Sequence, residues 1–332
     1  MIKPVSILYF LFLQLYKQLN KMNTFLGLDF GGTKLMIGEV DSRGNILRSK
    51  QYPTGFCTQQ QALSIIYSSL DDYLADGFYA NHRPIAMGVG IVGRINSDTG
   101  QWLQIDPKRD EVLDMGTLLS ERYGIPCYVD NDVKSATRAE MLWGQGKNMH
   151  NFVYINVGTG IAAGAVVDGH VVRGAHFDAG EVGYMISNVN ADSSLLRENI
   201  EDIASGSGFD RSARCLSDKY PDTILTLPIE GRVDVRDVFA GYKKEDRLCQ
   251  LLVENASEAL ATLINNMIRA FDPEGLILGG GVVADGFLLD FVKRKLRPET
   301  VRFLSHGIVL TNLDPHYVGL LGAAAVAHGN LK

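Results

Sequence analysis

Residues 25–44 read FLGLDFGGTKLMIGEVDSRG. A mostly apolar run, 25–30, carries one acid, Asp29, and ends in two glycines. Thr33 and Lys34 follow, a second apolar run fills 35–40, and Asp41-Ser42-Arg43-Gly44 closes the stretch as a turn. The glycine turn therefore joins strand to strand. A Walker loop needs G-x-x-x-x-G-K-[ST] followed by a helix whose N-terminus meets the phosphates, and a dinucleotide fingerprint needs G-x-G-x-x-G opening a helix. Neither pattern is met. What is left is a hairpin turn, Gly31-Gly32-Thr33-Lys34, whose backbone N–H groups and Thr33 hydroxyl can face phosphate oxygens. Lys34 reads equally as a phosphate contact or as a solvated charge. Asp29, at the strand end, suits a hydrated Mg²⁺, a hard ion that keeps its waters and prefers carboxylate.

The stretch has an echo. FVYINVGTGIAAGAVVDGHVV, residues 152–172, can be laid on it without gaps. Phe25, Asp29, Gly31, Val40 and Asp41 fall on Phe152, Asn156, Gly158, Val167 and Asp168, each pair 127 apart (152 − 25 and 168 − 41). Any two hairpins share a taste for glycine and Asp in their turns. Matching turns at both ends of the hairpin favour an internal duplication instead. Two lobes that each open with this hairpin would set two glycine turns across one cleft.

Around these hairpins strands and helices alternate, which indicates an α/β protein. Segment 46–52 reads as a possible third strand, 60–75 as a helix by its apolar spacing, and 85–93 as a buried strand. A helix over 115–124 stops at a glycine. The strand 125–132 ends in Asp130-Asn131-Asp132 and runs into a helix over 133–146. A long amphipathic helix covers 248–273, a strand over 275–286 leads into Gly279-Gly280-Gly281, and a small-residue helix fills 318–329.

The 332 residues allow one large domain or two ordinary ones, and 46% hydrophobic content supports a sizeable core. Charged residues make up 21% with a net charge of −6 and no long basic run, which argues against a nucleic-acid partner. The four cysteines are scattered and form no C-x-x-C, so neither a disulfide framework nor a cysteine zinc site is expected, and a cytoplasmic location fits. The apolar segment 4–16, PVSILYFLFLQLY, is shorter than the roughly 20 residues of a spanning helix and lacks a small-residue cleavage site. Residues 1–23 are therefore expected to be an extension outside the fold, and no membrane partner is expected.

Several motifs now resemble one family. GLDFGGTKLMIGEVD, VDNDVKSATRAE, INVGTGIAAGAVVDG, RGAHFDAGEVGY, FDPEGLILGGGV and GLLGAAAVA stand in the order seen in ROK-family sugar kinases. The resemblance runs from about residue 24 to the end. It implies the actin-like ATPase (ribonuclease H-like) fold, with two α/β lobes around a central cleft. The lobes would comprise 24–130 and 131–316, with the closing helix 317–330 packing back on the first. It also implies ATP and Mg²⁺, a sugar as second substrate, and a possible homodimer. Asp132 would be the general base that takes the sugar hydroxyl's proton during transfer, at O6 of a hexose or related sugar. Such help is worth roughly 10²–10⁴-fold. Asn131, Glu181 and Glu201 would bind sugar hydroxyls, since carboxylates accept two hydrogen bonds each. Asp-Asn-Asp would also cap the helix at 133. Gly158-Thr159-Gly160 resembles the second phosphate turn and Gly279-Gly280-Gly281 the adenosine-side loop.

The chain departs from the family at its structural zinc site. One His and three Cys normally hold that ion, and here Tyr184, Asp192, Ser194 and Asn199 take their places. These side chains cannot build a tetrahedral zinc site, so no zinc is expected, and Tyr184 with Leu195 and Leu196 would hold the segment 185–200 by packing. Tyr184 would also border the sugar, either hydrogen-bonding one of its hydroxyls or reshaping the pocket, and QIDP at 104–107 replaces an Asn-Leu-Pro-like turn. Glucose is thus only one of several candidate sugars. The alternatives are a sugar-responsive regulator, disfavoured because only about 24 residues precede the first motif, and a catalytically weak sugar binder.

Overall fold

A computed structural model describes residues 23–105, 111–187 and 199–330. The expected extension falls almost wholly outside them. Two five-stranded sheets organise the chain. The first contains β1 (Thr24–Phe30), β2 (Lys34–Asp41), β3 (Ile46–Pro53), β4 (Ala86–Ile91) and β7 (Cys127–Asn131) in the order β3-β2-β1-β4-β7. The second contains β8 (Phe152–Val157), β9 (Ile161–Val167), β10 (His170–Val171), β11 (Gly275–Gly279) and β12 (Gly307–Leu310) in the order β10-β9-β8-β11-β12. β5 (Arg94–Asn96) and β6 (Gln101–Gln104) form a separate ribbon.

The two sheets match strand for strand. Each is an antiparallel meander of three strands whose first member continues into two parallel ones. This is the duplication that the two glycine hairpins announce. The gapless superposition fails at one point, however. Phe30 pairs with Leu35 across four residues, whereas Val157 pairs with Ile161 across three. The second turn is one residue shorter, so β9 is shifted by one against the alignment. Both strands remain buried on both faces, so the apolar pattern tolerates either register.

Helices cover the sheets. They are α1 (Gln59–Leu74), α2 (Met115–Tyr123), α3 (Asp132–Trp143), α4 (Ile200–Ala204), α5 (Gly206–Leu216), α6 (Val235–Lys243), α7 (Arg247–Phe271), α8 (Phe287–Lys295), α9 (Pro298–Val301) and α10 (Val318–Gly329). Thr58 and Gln61 start α1 with a reciprocal capping box, and Gly124, at φ 61°, ends α2. Alternation along β1 sends Leu26, Leu28 and Phe30 into one core with Ile66, Leu70 and Leu119. Phe25 on the other face joins Leu320, Leu321 and Ala324 of α10. The closing helix therefore lies on the first sheet. It comes close because Gly27 and Gly88 have no Cβ: one on Gly27 would stand 2.8 Å from the Leu320 carbonyl, and one on Gly88 would overlap the Ala323 carbonyl.

Helix α3 lies between the sheets. Its Ala139 belongs to the core of the first sheet with α10, while Val133 and Ala136 pack with Phe152, Tyr154 and Ile277 of the second. It ends at Trp143, earlier than the spacing suggests. Gly144 leaves the helical region, and a 3₁₀ turn, Gln145–Asn148, follows.

Candidate active site

The parallel strands of the first sheet end together. Asp29 of β1 stands level with Gly90 of β4, which stands level with Asp130 of β7. Asp29 is half-buried and lies under the start of α10, where a Cβ on Gly319 would overlap its carboxylate. Burial pushes the Asp29 carboxyl up to about 6, the negative charge of Asp132 adds to this, and Lys34 opposes it.

Asp132 opens α3, half-buried, and its Oδ1 accepts from the Val133 backbone N–H at 3.0 Å. Burial raises its carboxyl, against the Val133 hydrogen bond and the charge of Lys134. Asn131 is the helix cap: Oδ1 accepts from the N–H groups of Val133 (3.0 Å) and Lys134 (3.2 Å), and Nδ2 donates to the Gly93 carbonyl at 3.1 Å. Its amide is thus engaged within the chain, where it holds Asp132 against the turn after β4.

Each glycine turn has a support that the sequence did not advertise. Gly31 N–H donates to the Lys34 carbonyl at 2.9 Å. Thr54, just after β3, grips the same turn twice, with Oγ1 donating to the Gly31 carbonyl at 2.8 Å and its N–H to the Thr33 carbonyl at 3.1 Å. In the second turn Gly158 N–H donates to the Gly160 carbonyl at 2.9 Å. There the first residues of α5 provide the clamp: Gly206 donates to the Gly158 carbonyl at 2.8 Å and Ser207 to the Thr159 carbonyl at 3.1 Å. The third turn lies beside the second, because Val282 N–H donates to the Val157 carbonyl at 3.0 Å. Gly280 needs its glycine for φ 93° and for close approach to Val157. Gly32 and Gly281 differ. Their φ is ordinary, and a Cβ on either would meet nothing within 4 Å. Neither packing nor backbone strain calls for glycine there, so the open backbone suits a group that arrives from outside, such as a nucleotide phosphate chain.

Glu181 and Glu201 fall in one neighbourhood. Burial raises the Glu181 carboxyl, with the charges of Asp178, Asp132 and Glu201 adding and Lys134 opposing. Glu201 reaches the second glycine turn: its Oε2 accepts from Ile161 N–H at 2.7 Å and lies against Gly160 and Gly183. Tyr184 is 65% exposed, beside the Glu201, Glu181 and Asp178 charges. Asp29, Asp132, Glu181 and Glu201 thus form a chain of neighbours from the first glycine turn to the second. The sequence missed Asp178 and Lys134 in this group.

Asp192, Ser194, Leu195 and Leu196, and Asp106 and Pro107 of the QIDP stretch, lie outside the described residues. At the edges of that longer segment Ile186 pairs antiparallel with Asn199, and Ile200 N–H donates to the Met185 carbonyl at 3.0 Å. Main-chain hydrogen bonds therefore join its two ends, and Asn199, at one expected zinc-ligand position, takes part in that pairing. Among the described residues no group of three or more His, Cys, Asp or Glu could hold a metal ion. The two neighbouring carboxylates Asp29 and Asp132 nevertheless fit Mg²⁺, which is commonly held by one or two carboxylates and its own waters.

A model of the ROK family matches residues 25–330. The chain belongs to the ROK family. Among similar proteins, a glucokinase of Halalkalibacterium halodurans is 28% identical, over 79% of this chain and 81% of that one. A beta-glucoside kinase of Listeria monocytogenes is 26% identical, over 89% and 94%. The crystal structure of a ROK hexokinase from Thermus thermophilus resembles the fold with a TM-score of 0.74 at 25% identity, covering 93% of this chain and 99% of that one. The fold is the actin-like ATPase fold, with two lobes around a cleft, as the family resemblance implies and in agreement with the duplicated hairpins. No helix among the described residues is long and apolar enough to cross a membrane.

Proposed function

We propose that this ROK protein is an ATP-dependent sugar kinase that transfers a phosphoryl group to a hydroxyl, O6, of a hexose or a β-glucoside. The observation that carries the reading is Asp132: a half-buried carboxylate with a raised pKa, on a helix between the two sheets, beside Asp29 of the first hairpin and Glu181 of the opposite lobe. A sugar hydroxyl is a poor nucleophile at neutral pH. Asp132 accepts its proton as it attacks, and a base with a raised pKa is better matched to that transfer. Asn131 fixes the base by capping α3 and tying it to Gly93. Glu181 accepts hydrogen bonds from sugar hydroxyls, Glu201 braces the pocket against the second turn, and Tyr184 borders it. The backbone N–H groups of Gly32, Thr33, Thr159 and Gly160 receive the phosphates, with the Thr33 hydroxyl and Lys34 beside them, while Gly31 and Gly158 close the two turns with their own N–H groups. In the Gly279-Gly280-Gly281 loop, Gly281 leaves room for the adenosine, while Gly279 and Gly280 pack against Tyr154 and Val157. Asp29 would hold Mg²⁺ through water, and the ion would neutralise phosphate charge there. The lobes are 24–130 and 131–316 with 317–330 folded back, the reading calls for no zinc, and the reaction belongs to the cytoplasm.

The test is ATP turnover over a panel of hexoses, N-acetylhexosamines and β-glucosides, with the product's phosphate position read by NMR. Asp132→Asn is expected to lower kcat by roughly 10²–10⁴-fold while sugar binding persists. Full turnover by that variant, or no turnover with any sugar by the parent protein, would sink the reading.

A further inference from the structure

Lys134 is the unexpected residue of the site. It sits two positions after Asp132 in the first turn of α3, where a lysine normally reaches solvent, yet it is 4% exposed. A buried ammonium is expensive unless it is both paired and hydrogen-bonded. Here Nζ donates to the Phe177 carbonyl at 3.2 Å. Phe177 itself holds φ 61°, a left-handed conformation that a bulky side chain disfavours and that surrounding structure must maintain. Phe177 lies in the stretch between Gly174 and Gly180, both at positive φ, which has no helix or strand and delivers Asp178 and Glu181 to the site.

Four carboxylates, Asp130, Glu181, Asp178 and Asp132, act on Lys134. Asp130 already pairs with Arg138 Nε at 3.1 Å and accepts from Asn131 N–H at 2.9 Å. Asp130 gives Lys134 the largest of these attractions, and Glu181 and Asp178 of the opposite loop follow, ahead of Asp132. The other three charges acting on Glu181, namely Asp178, Asp132 and Glu201, are all negative. The Lys134 ammonium opposes that repulsion, and its hydrogen bond to Phe177 holds the loop to α3.

We propose that Lys134 is the positioning residue of the sugar pocket: its ammonium ties the Glu181 loop to the helix that carries Asp132 and so fixes the spacing between base and sugar-binding carboxylate. This rests on the sugar-kinase reading. The two halves of the tie separate by substitution. Lys134→Met keeps the length and loses both charge and donor. Lys134→Gln keeps an N–H donor for the Phe177 carbonyl and loses the charge.

The experiment uses the full chain and the sugar that the parent protein phosphorylates best. It measures kcat, both KM values, and ATP-free sugar binding by calorimetry. Lys134→Met is expected to raise the sugar KM and the sugar Kd by roughly tenfold or more, with the ATP KM within about twofold of the parent. Lys134→Gln is expected to fall between the two. A sugar KM within about twofold for Lys134→Met, or an ATP KM that rises in step with it, overturns the proposal. If neither variant folds, Lys134 is a structural residue and the proposal is equally overturned. A parent protein inactive on every sugar fails the kinase reading itself, and this inference with it; an active parent with unaltered variants fails the positioning role alone.

Discussion

The backbone N–H of Ile161 donates to Glu201 Oε2 at 2.7 Å. One carboxylate thereby joins α4 to the strand that leaves the second glycine turn, and it touches both Gly160 and Gly183. In the proposed kinase reading, the phosphate side and the sugar side of the cleft would share that single group. Glu201→Gln weakens a charge-assisted hydrogen bond worth roughly 1.5–3 kcal/mol. It is expected to raise the KM of ATP and of sugar together, whereas Glu181→Gln raises the sugar KM alone. Kinetics with both substrates varied distinguish the two, and a Glu201→Gln enzyme whose sugar KM alone rises would refute the shared role.

Asp29 sits at a cost to the fold. Its carboxyl titrates at about 6 in the folded protein against an ordinary 3.8. Between those values the folded state holds a proton that the unfolded chain has released. Stability from this group is therefore greatest below about pH 4, declines as pH rises to about 6, and stays lower above that. The loss is on the order of 3 kcal/mol at neutral pH. Asp29→Asn should raise the Tm at pH 7.5, change it little at pH 4, and abolish most turnover. An unchanged Tm at pH 7.5 would show that Asp29 ionises without penalty.

Asp29 and Asp132 together are expected to shape the rate profile. Asp29 and Asp132 interact, so the acidic limb of kcat/KM belongs to the pair. It is expected above the ordinary carboxylate range, because burial raises both groups. Lowering the pH through this limb protonates the base and removes activity. In the residual activity of Asp29→Asn the limb should move to lower pH, since a negative neighbour of Asp132 is gone. A limb that stays in place would mean that Asp29 does not act on the base.

Gly32 and Gly281 offer a clean separation of binding from folding. A methyl group on either meets no atom of the protein within 4 Å, and φ is ordinary at both. Gly32→Ala and Gly281→Ala are expected to leave stability unchanged or to raise it by about 0.4–1 kcal/mol through the unfolded state. Their KM for ATP should rise several-fold, with sugar binding in the absence of ATP unaltered. Normal ATP kinetics in both variants would remove these turns from the nucleotide site.

Asn131 should behave as a cap. Asn131→Ala leaves the Lys134 N–H without its side-chain acceptor and Val133 N–H with Asp132 Oδ1 alone, and is expected to cost about 1 kcal/mol, within a range of roughly 0.5–2. It also frees Asp132 from the Gly93 tie, so kcat should fall more than the stability loss explains. Denaturant unfolding read beside kcat tests both parts.

The fold was legible because its decisive elements carry local signals. A glycine turn between two apolar runs marks a hairpin, and two such hairpins laid over one another in one chain point to a duplicated pair of sheets. Asp29 drew notice as an acid at the end of an apolar run, whereas Asp130-Asn131-Asp132 alone reads as a helix cap, and only the ordered set of motifs singled out Asp132. The one-residue difference between the turns was not visible, because it lies in pairing partners rather than in composition. β3 left only a weak trace: ILRSKQYP is an edge strand and needs no apolar run. Lys134 and Thr54 were missed for a non-local reason. A lysine near a helix start and a threonine after a strand are ordinary in sequence. What distinguishes them is a loop more than 40 residues away that folds over Lys134, and a turn on which Thr54 happens to land.

Helix α3 touches both sheets and carries Asp132 at its first position. Points near an axle travel least when the parts around it swing. If the lobes turn about this helix as the cleft shuts on its substrates, the base remains almost still while the glycine turns sweep toward it. Such an arrangement separates two tasks that catalysis would otherwise set against each other. The nucleotide's surroundings are free to open for exchange in every cycle, and the proton acceptor keeps its aim throughout.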